Sequence, residues 1–103
     1  MHIIVLITAA NKKEADTIAR KLIKNKLAAC VNIISGIKSL FWWQGKLDRA
    51  KEALLMVKSR KEKFNKIVKA VKSSHSYSVP EIIAIPITSG FKPYLKWIDD
   101  SLR

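Results

Sequence analysis

Two hydrophobic periodicities alternate along this chain, and the switches between them mark its elements. Ile3-Ile4-Val5-Leu6-Ile7 is an unbroken, mostly β-branched apolar run, the pattern of a central strand covered on both faces. Behind it stands Asn11 with Glu14 three positions on, a capping box, and then Ala15, Ile18, Ala19, Leu22 and Ile23 at helical spacing. The spacing predicts an amphipathic helix ending near Asn25-Lys26, where Asn25 takes the left-handed terminating conformation. From Leu27 the period becomes two: Leu27, Ala29, Val31 and Ile33 face one way, and Ala28, Cys30, Asn32 and Ile34 the other. Ser35-Gly36 breaks the alternation and predicts a bulge or bend.

The alternation resumes over Ile37 to Trp43, turns tightly at Gln44-Gly45, and returns antiparallel from Leu47 to Val57. The return is charged from Lys46 to Glu52 and apolar from Ala53 to Val57, so the distal half of the hairpin is expected to be solvated and the proximal half to be core. At ~3.3 Å per residue these arms approach ~50 Å, against a radius of gyration of ~13 Å for a compact domain of 100 residues. Part of the hairpin must project, with Phe41, Trp42 and Trp43 near its tip. Another copy of the chain is the economical cover for those rings.

Ser59 to Glu62 reads as a second capping box, followed by the apolar stripe Phe64, Ile67, Val68 and Val71 of a second helix whose other face carries Lys61, Lys63, Lys66, Lys69 and Lys72. The polar stretch SSHSYSVPE leads into a fourth strand, Ile82 to Ile87, which Pro86 confines to an edge or a bulge. Ser89 or Gly90 is expected to cap a last short helix with Pro93 in its first turn, presenting Tyr94, Leu95, Trp97 and Ile98. The order strand, helix, strand, strand, helix, strand, with a helix appended, predicts an α+β ferredoxin-like fold: a four-stranded antiparallel sheet under two helices, in one domain spanning residues 1–103.

Composition narrows the classes of function without choosing one. The chain is 49% hydrophobic and 27% charged, as in ordinary globular proteins. No apolar run approaches the ~20 residues of a membrane span, and no basic-then-apolar leader opens the sequence, so a cytoplasmic location without membrane contact is expected. A net charge of +12 favours anionic partners, nucleic acid among them. Because the lysines gather on a helix face rather than beside the aromatic residues, nucleic acid is the weaker reading and the solvated face the stronger. No nucleophile–base arrangement, phosphate loop or catalytic carboxylate pair is present in the sequence pattern, and nothing in it argues for an enzyme.

Cys30 is the only cysteine; in an apolar strand it reads first as a small buried hydrophobe and otherwise as a soft metal ligand. His75, with Tyr77 and Glu81 close in sequence, reads as a structural loop histidine or as the wall of a metal pocket. Thiolate with imidazole suits copper and zinc.

With these residues in view, the chain resembles the CutA family of divalent-cation-tolerance proteins over nearly its whole length. The resemblance is carried, in order, by ARKLIKNKLAACVNI (residues 19–33), FWWQGK (41–46), EALLMVKS (52–59), HSYSVPEIIAIPI (75–87) and YLKWI (94–98). It implies a homotrimer with strands exchanged between neighbours, an architecture similar to the PII signalling proteins, and binding of divalent metal, copper in particular, in clefts between subunits. On this basis Cys30, His75 and Glu81 are the expected metal ligands, and Phe41, Trp42, Trp43, Lys58, Tyr77 and Trp97 the expected pocket and interface residues. Gln44, Ser76 and Ser78 depart from the family pattern, which has a glutamate before the turn glycine and reads HPYEVPE; the lost carboxylates weaken a site for hard divalent ions. Two other readings, a basic nucleic-acid-binding module and a PII-like trimeric sensor of a small molecule, stand beside this one.

Overall fold

A computed structural model describes all residues from Met1 to Arg103. The elements are β1 (His2–Ala9), α1 (Lys12–Lys24), β2 (Cys30–Trp43), β3 (Lys46–Arg60), α2 (Phe64–Lys72), β4 (Ile82–Pro86) and α3 (Lys92–Ser101), with one turn of 3₁₀ helix, Lys61–Lys63, leading into α2. The strands form an antiparallel sheet in the order β2-β3-β1-β4, the ferredoxin-like arrangement that the element order predicts. β4 is an edge strand, so Pro86, which has no N–H to offer, sits where none is required.

Strand register decides which residues share a face. Ile3, Val5, Ile7, Leu55 and Val57 lie on one side of the sheet and pack with Ala15, Ile18 and Leu22 of α1 and Ile67 and Val71 of α2 into the core. On the other side, Ile4 pairs with Lys58 and Ile85, and Leu6 with Met56 and Ile83. Only α3 lies there: Asp99 accepts hydrogen bonds from Arg60 Nη1 (2.6 Å) and His2 Nε2 (2.9 Å), and Ile98 is fully buried. The remainder of that face is open, so β1 is central as predicted but its second face is only half covered within the chain.

The hairpin is as long as the sequence requires. β1 pairs with β3 only from Ala53 to Arg60, so Ile37–Trp43 and Lys46–Glu52 pair with each other alone and project as a two-stranded ribbon from a molecule 44 × 26 × 22 Å across. Gln44 and Gly45 both adopt positive φ (51° and 76°), the type I′ geometry of a two-residue hairpin turn. The register slips by one residue between Ile34 and Ile37, with Gly36 at φ 72°, which is the bulge expected at Ser35-Gly36.

Four local expectations are corrected. The left-handed residue ending α1 is Lys26 (φ 59°), while Asn25 has φ −90° and caps Lys21 O with its side-chain amide. β2 begins at Cys30, and Leu27 and Ala28 are both buried in the connection rather than alternating. Ser59 caps no helix: β3 continues through it, and its buried Oγ donates to Leu27 O at 2.7 Å. α3 starts after Phe91 with no side-chain cap, so neither Ser89 nor Gly90 performs that role. The first capping box forms, with Asn11 Oδ1 accepting from Glu14 N at 2.8 Å, although Glu14 reaches back to Ala10 N (3.1 Å) rather than to Asn11.

Candidate functional site

The loop between α2 and β4 is anchored by His75, whose side chain is wholly enclosed. Its Nδ1 accepts from Tyr77 N (3.0 Å), which puts the proton on Nε2, donating to Thr8 O (2.6 Å). Both ring nitrogens are therefore engaged by the chain itself. Glu14 adds a second anchor, since its Oε2 accepts from Ser76 N (3.1 Å). Burial pushes the Glu14 carboxyl up, but the hydrogen bonds from Ala10 and Ser76 outweigh it and hold the group below its ordinary value.

Held this way, Tyr77 lies against the His75 ring (centroids 4.8 Å apart) and donates its hydroxyl to Glu52 Oε2 at 2.9 Å. Burial, then the bond to Glu52 and its charge, push the phenol up to about 12, so it remains a donor at any ordinary pH. Together the loop and the projecting ribbon enclose a cleft of about 690 Å³. Phe41, Trp43 and Tyr77 supply its aromatic walls, Asp48, Glu52 and Glu81 its carboxylates, and no lysine or arginine lines it. Glu52 and Glu81, isolated in the sequence, are thus brought to one cavity; only the return of β3 beside the loop joins them, and no local pattern signals it.

Cys30 sits at the other end of the same open face. It pairs with Lys58, six residues along β3 from Glu52, or ~20 Å at ~3.3 Å per residue. The thiol is half-buried, its Sγ 4.0 Å from Asn32 Oδ1, to which Lys58 Nζ also donates. Tyr94 of α3 lies alongside; burial, with Cys30 contributing less, raises its phenol above the ordinary value. Trp97 is half-exposed and stacks on Tyr94 with centroids 5.4 Å apart. Cys30 and His75 therefore belong to separate places in one chain, and no three His, Cys, Asp or Glu side chains converge on a point that would hold a metal ion. Trp42, at 76% exposed, is the barest of the three hairpin rings.

Known proteins share this architecture and sequence. Residues 3–101 match the family described as CutA1 divalent ion tolerance protein. The chain is 50% identical to the divalent-cation tolerance protein CutA of Archaeoglobus fulgidus over the full length of both, and 44% identical to that of Thermus thermophilus over 98% of each. It superposes on a solved Archaeoglobus fulgidus structure, described as a periplasmic divalent cation tolerance protein, with a TM-score of 0.97 at 50% identity and full coverage of both chains. CutA1 from Oryza sativa gives 0.96 at 43% identity, covering 99% of this chain and 94% of that one. Matching over its whole length in both sequence and fold, the chain belongs to the CutA1 divalent ion tolerance family.

Proposed function

We propose that the chain works as a non-enzymatic homotrimer holding divalent metal, copper foremost, in clefts between subunits. The carrying observation is the ribbon: its distal half pairs only with itself and exposes Leu40, Trp42, Trp43 and Leu47, while a different apolar patch, Ile34, Ile83 and Ile85, lies bare on the sheet. Two unlike patches favour a head-to-tail contact, and a closed head-to-tail ring makes a cyclic oligomer. Cys30 is the accessible soft donor on that open face, Glu81 an exposed oxygen donor, and His75 becomes a ligand only by releasing Thr8 O or Tyr77 N. Because one chain keeps Cys30 far from His75, a site using both draws them from neighbouring copies.

Sedimentation equilibrium tests the assembly, with three chain masses expected and a stable monomer overturning it. Copper titration of the wild type beside Cys30→Ala, His75→Ala and Glu81→Gln tests the ligands: weaker binding in Cys30→Ala is expected, and unchanged affinity in all three rejects the set. A cytoplasmic location belongs to the same proposal and is checked by fractionation, since relatives include proteins described as periplasmic and chloroplastic.

A further inference from the structure

We propose that the cleft between the ribbon and the loop Tyr77–Glu81 is a binding site for a small organic cation, an amine or guanidinium on a short aliphatic or planar body. Charge is the first support. The chain carries 20 lysines and arginines against 8 carboxylates. Asp16, Glu62, Asp99 and Asp100 each pair with a lysine or arginine, or with the N-terminus, and Glu14 is held by backbone amides. The remaining three, Asp48, Glu52 and Glu81, have no cationic partner within the chain, and all three line this one cleft.

Glu52 is the second and independent support. It is only 8% exposed and lines the cleft, yet its one side-chain hydrogen bond is that from Tyr77 to Oε2, and no lysine or arginine of the chain meets its charge. A carboxylate taken this far out of water is costly unless a cation meets it. Tyr77, locked as a donor, fixes the orientation of that carboxylate.

Shape and wall chemistry decide the class of cation. The carboxylates are spread around the cleft rather than converging as metal ligands must, so a ligand several ångströms long reaches more of them than a bare ion does. The volume of about 690 Å³ is that of a small-molecule site, and the faces of Phe41 and Trp43 suit an alkylammonium or guanidinium through cation–π attraction. The opposite side of the ribbon carries Lys38, Arg49 and Lys51, and the cleft side carries Asp48 and Glu52 with Lys46 alone at the tip beside Trp43, so most of the ribbon's cations lie away from the cleft. This site shares Glu81 with the metal reading, and Leu40 and Trp43 with the ribbon patch of the proposed assembly, which is why it is tested in the native assembly.

The test is calorimetric titration of the metal-stripped full-length protein, in its native assembly at low salt, with agmatine and with 1,4-diaminobutane. Saturable binding of at least one of them at one per chain is expected, with 1,4-butanediol, the uncharged isostere of the diamine, at least about tenfold weaker. Asp48→Asn and Glu81→Gln each weaken binding about tenfold, and Phe41→Leu about threefold, with circular dichroism and sedimentation unchanged. These two carboxylate variants stand in for Glu52→Gln, whose buried position puts the fold at risk. The proposal is overturned if neither cation binds, which is the outcome expected when a lysine or arginine of a neighbouring copy fills the cleft. It also falls if the diol binds equally, if magnesium chloride at the same concentration binds as tightly, or if the Asp48→Asn/Glu81→Gln double variant keeps its affinity. Copper binding measured on the same variants separates this result from that of the metal proposal.

Discussion

Where β1 faces α1 and α2, Val5 and Ile7 are sealed completely, and their β3 partners Val57 and Leu55 are equally sealed. Turned the other way, Ile4 and Leu6 are only half-covered, and their β4 partners Ile85 and Ile83 are 46% and 50% exposed. The same strands make a finished core on one side and an unfinished one on the other. An unbroken apolar run asks for cover on both faces but does not say which molecule provides it. On the first face two helices of the chain answer; on the second, α3 covers one end, and the assembly proposed above covers the rest.

Four substitutions test this division, beginning with the largest effect. Ile7→Ala empties a filled site and is expected to cost about 4 kcal/mol in denaturant unfolding; a loss below ~1 kcal/mol breaks the distinction between the faces. Ile85→Glu puts a charge on the open face, where a lone chain tolerates it. If neighbouring copies bury that face, sedimentation reads an assembly weakened by about 2–3 kcal/mol per chain while the far-ultraviolet circular dichroism stays native. Ser59→Ala strips Leu27 O of its buried donor and costs about 1–2 kcal/mol in the same unfolding assay.

The smallest effect is confined to acid. The folded-state value of Glu14 lies below its ordinary 4.5, so its contribution is complete above that pH and fades as the pH falls through the depressed value. Glu14→Gln is therefore expected to flatten the loss of stability below about pH 4.5 relative to wild type, measured by denaturant titration at successive pH values. Parallel curves for the two proteins would remove Glu14 as an anchor of the cleft-forming loop.

Periodicity and turn chemistry carried most of the fold, because each is a local property. Asn11 with Glu14, the Gln44-Gly45 turn, the break at Ser35-Gly36 and the edge position of Pro86 all follow from residues within a few positions of one another. The misreading at Ser59 has a distant partner as its cause. Ser59 through Glu62 has the letters of a capping box, yet the pairing of β3 with β1 holds the chain extended to Arg60 and gives the Ser59 hydroxyl to Leu27. Tertiary hydrogen bonding there outweighs a local cap of ~1 kcal/mol. Asn25 cedes the left-handed position to Lys26 while its side chain caps Lys21, for which the sequence has no separate signal.

The candidate site was less legible for the same reason. His75, Tyr77 and Glu81 stand close in sequence and share one loop region, but Tyr77 and Glu81 meet Glu52 and Asp48 only because β3 folds back beside them. The opposite face assigned to Cys30 within its strand was visible from alternation alone; its half-exposure required knowing that no helix covers that end completely.

The bulge at Ser35-Gly36 fixes a phase. Before it, the even-numbered residues Cys30, Asn32 and Ile34 look toward the open face; after it, the odd-numbered Ile37, Ser39, Phe41 and Trp43 do, because Ile34 pairs with Leu54 but Ile37 with Glu52. That one added residue decides that Phe41 and Trp43 accompany the carboxylates, while Lys38 goes to the side of Arg49 and Lys51. Pairing β2 regularly through Ser35-Gly36 at unchanged length would exchange the two sides of β2 in the ribbon without altering any letter of the sequence, setting Lys38 and Trp42 over the acidic wall, whereas deleting one residue there would leave every pair in place. The bulged backbone, with Gly36 at positive φ, thus works as a parity bit for the protruding arm, and what the arm presents depends on that one irregularity being kept.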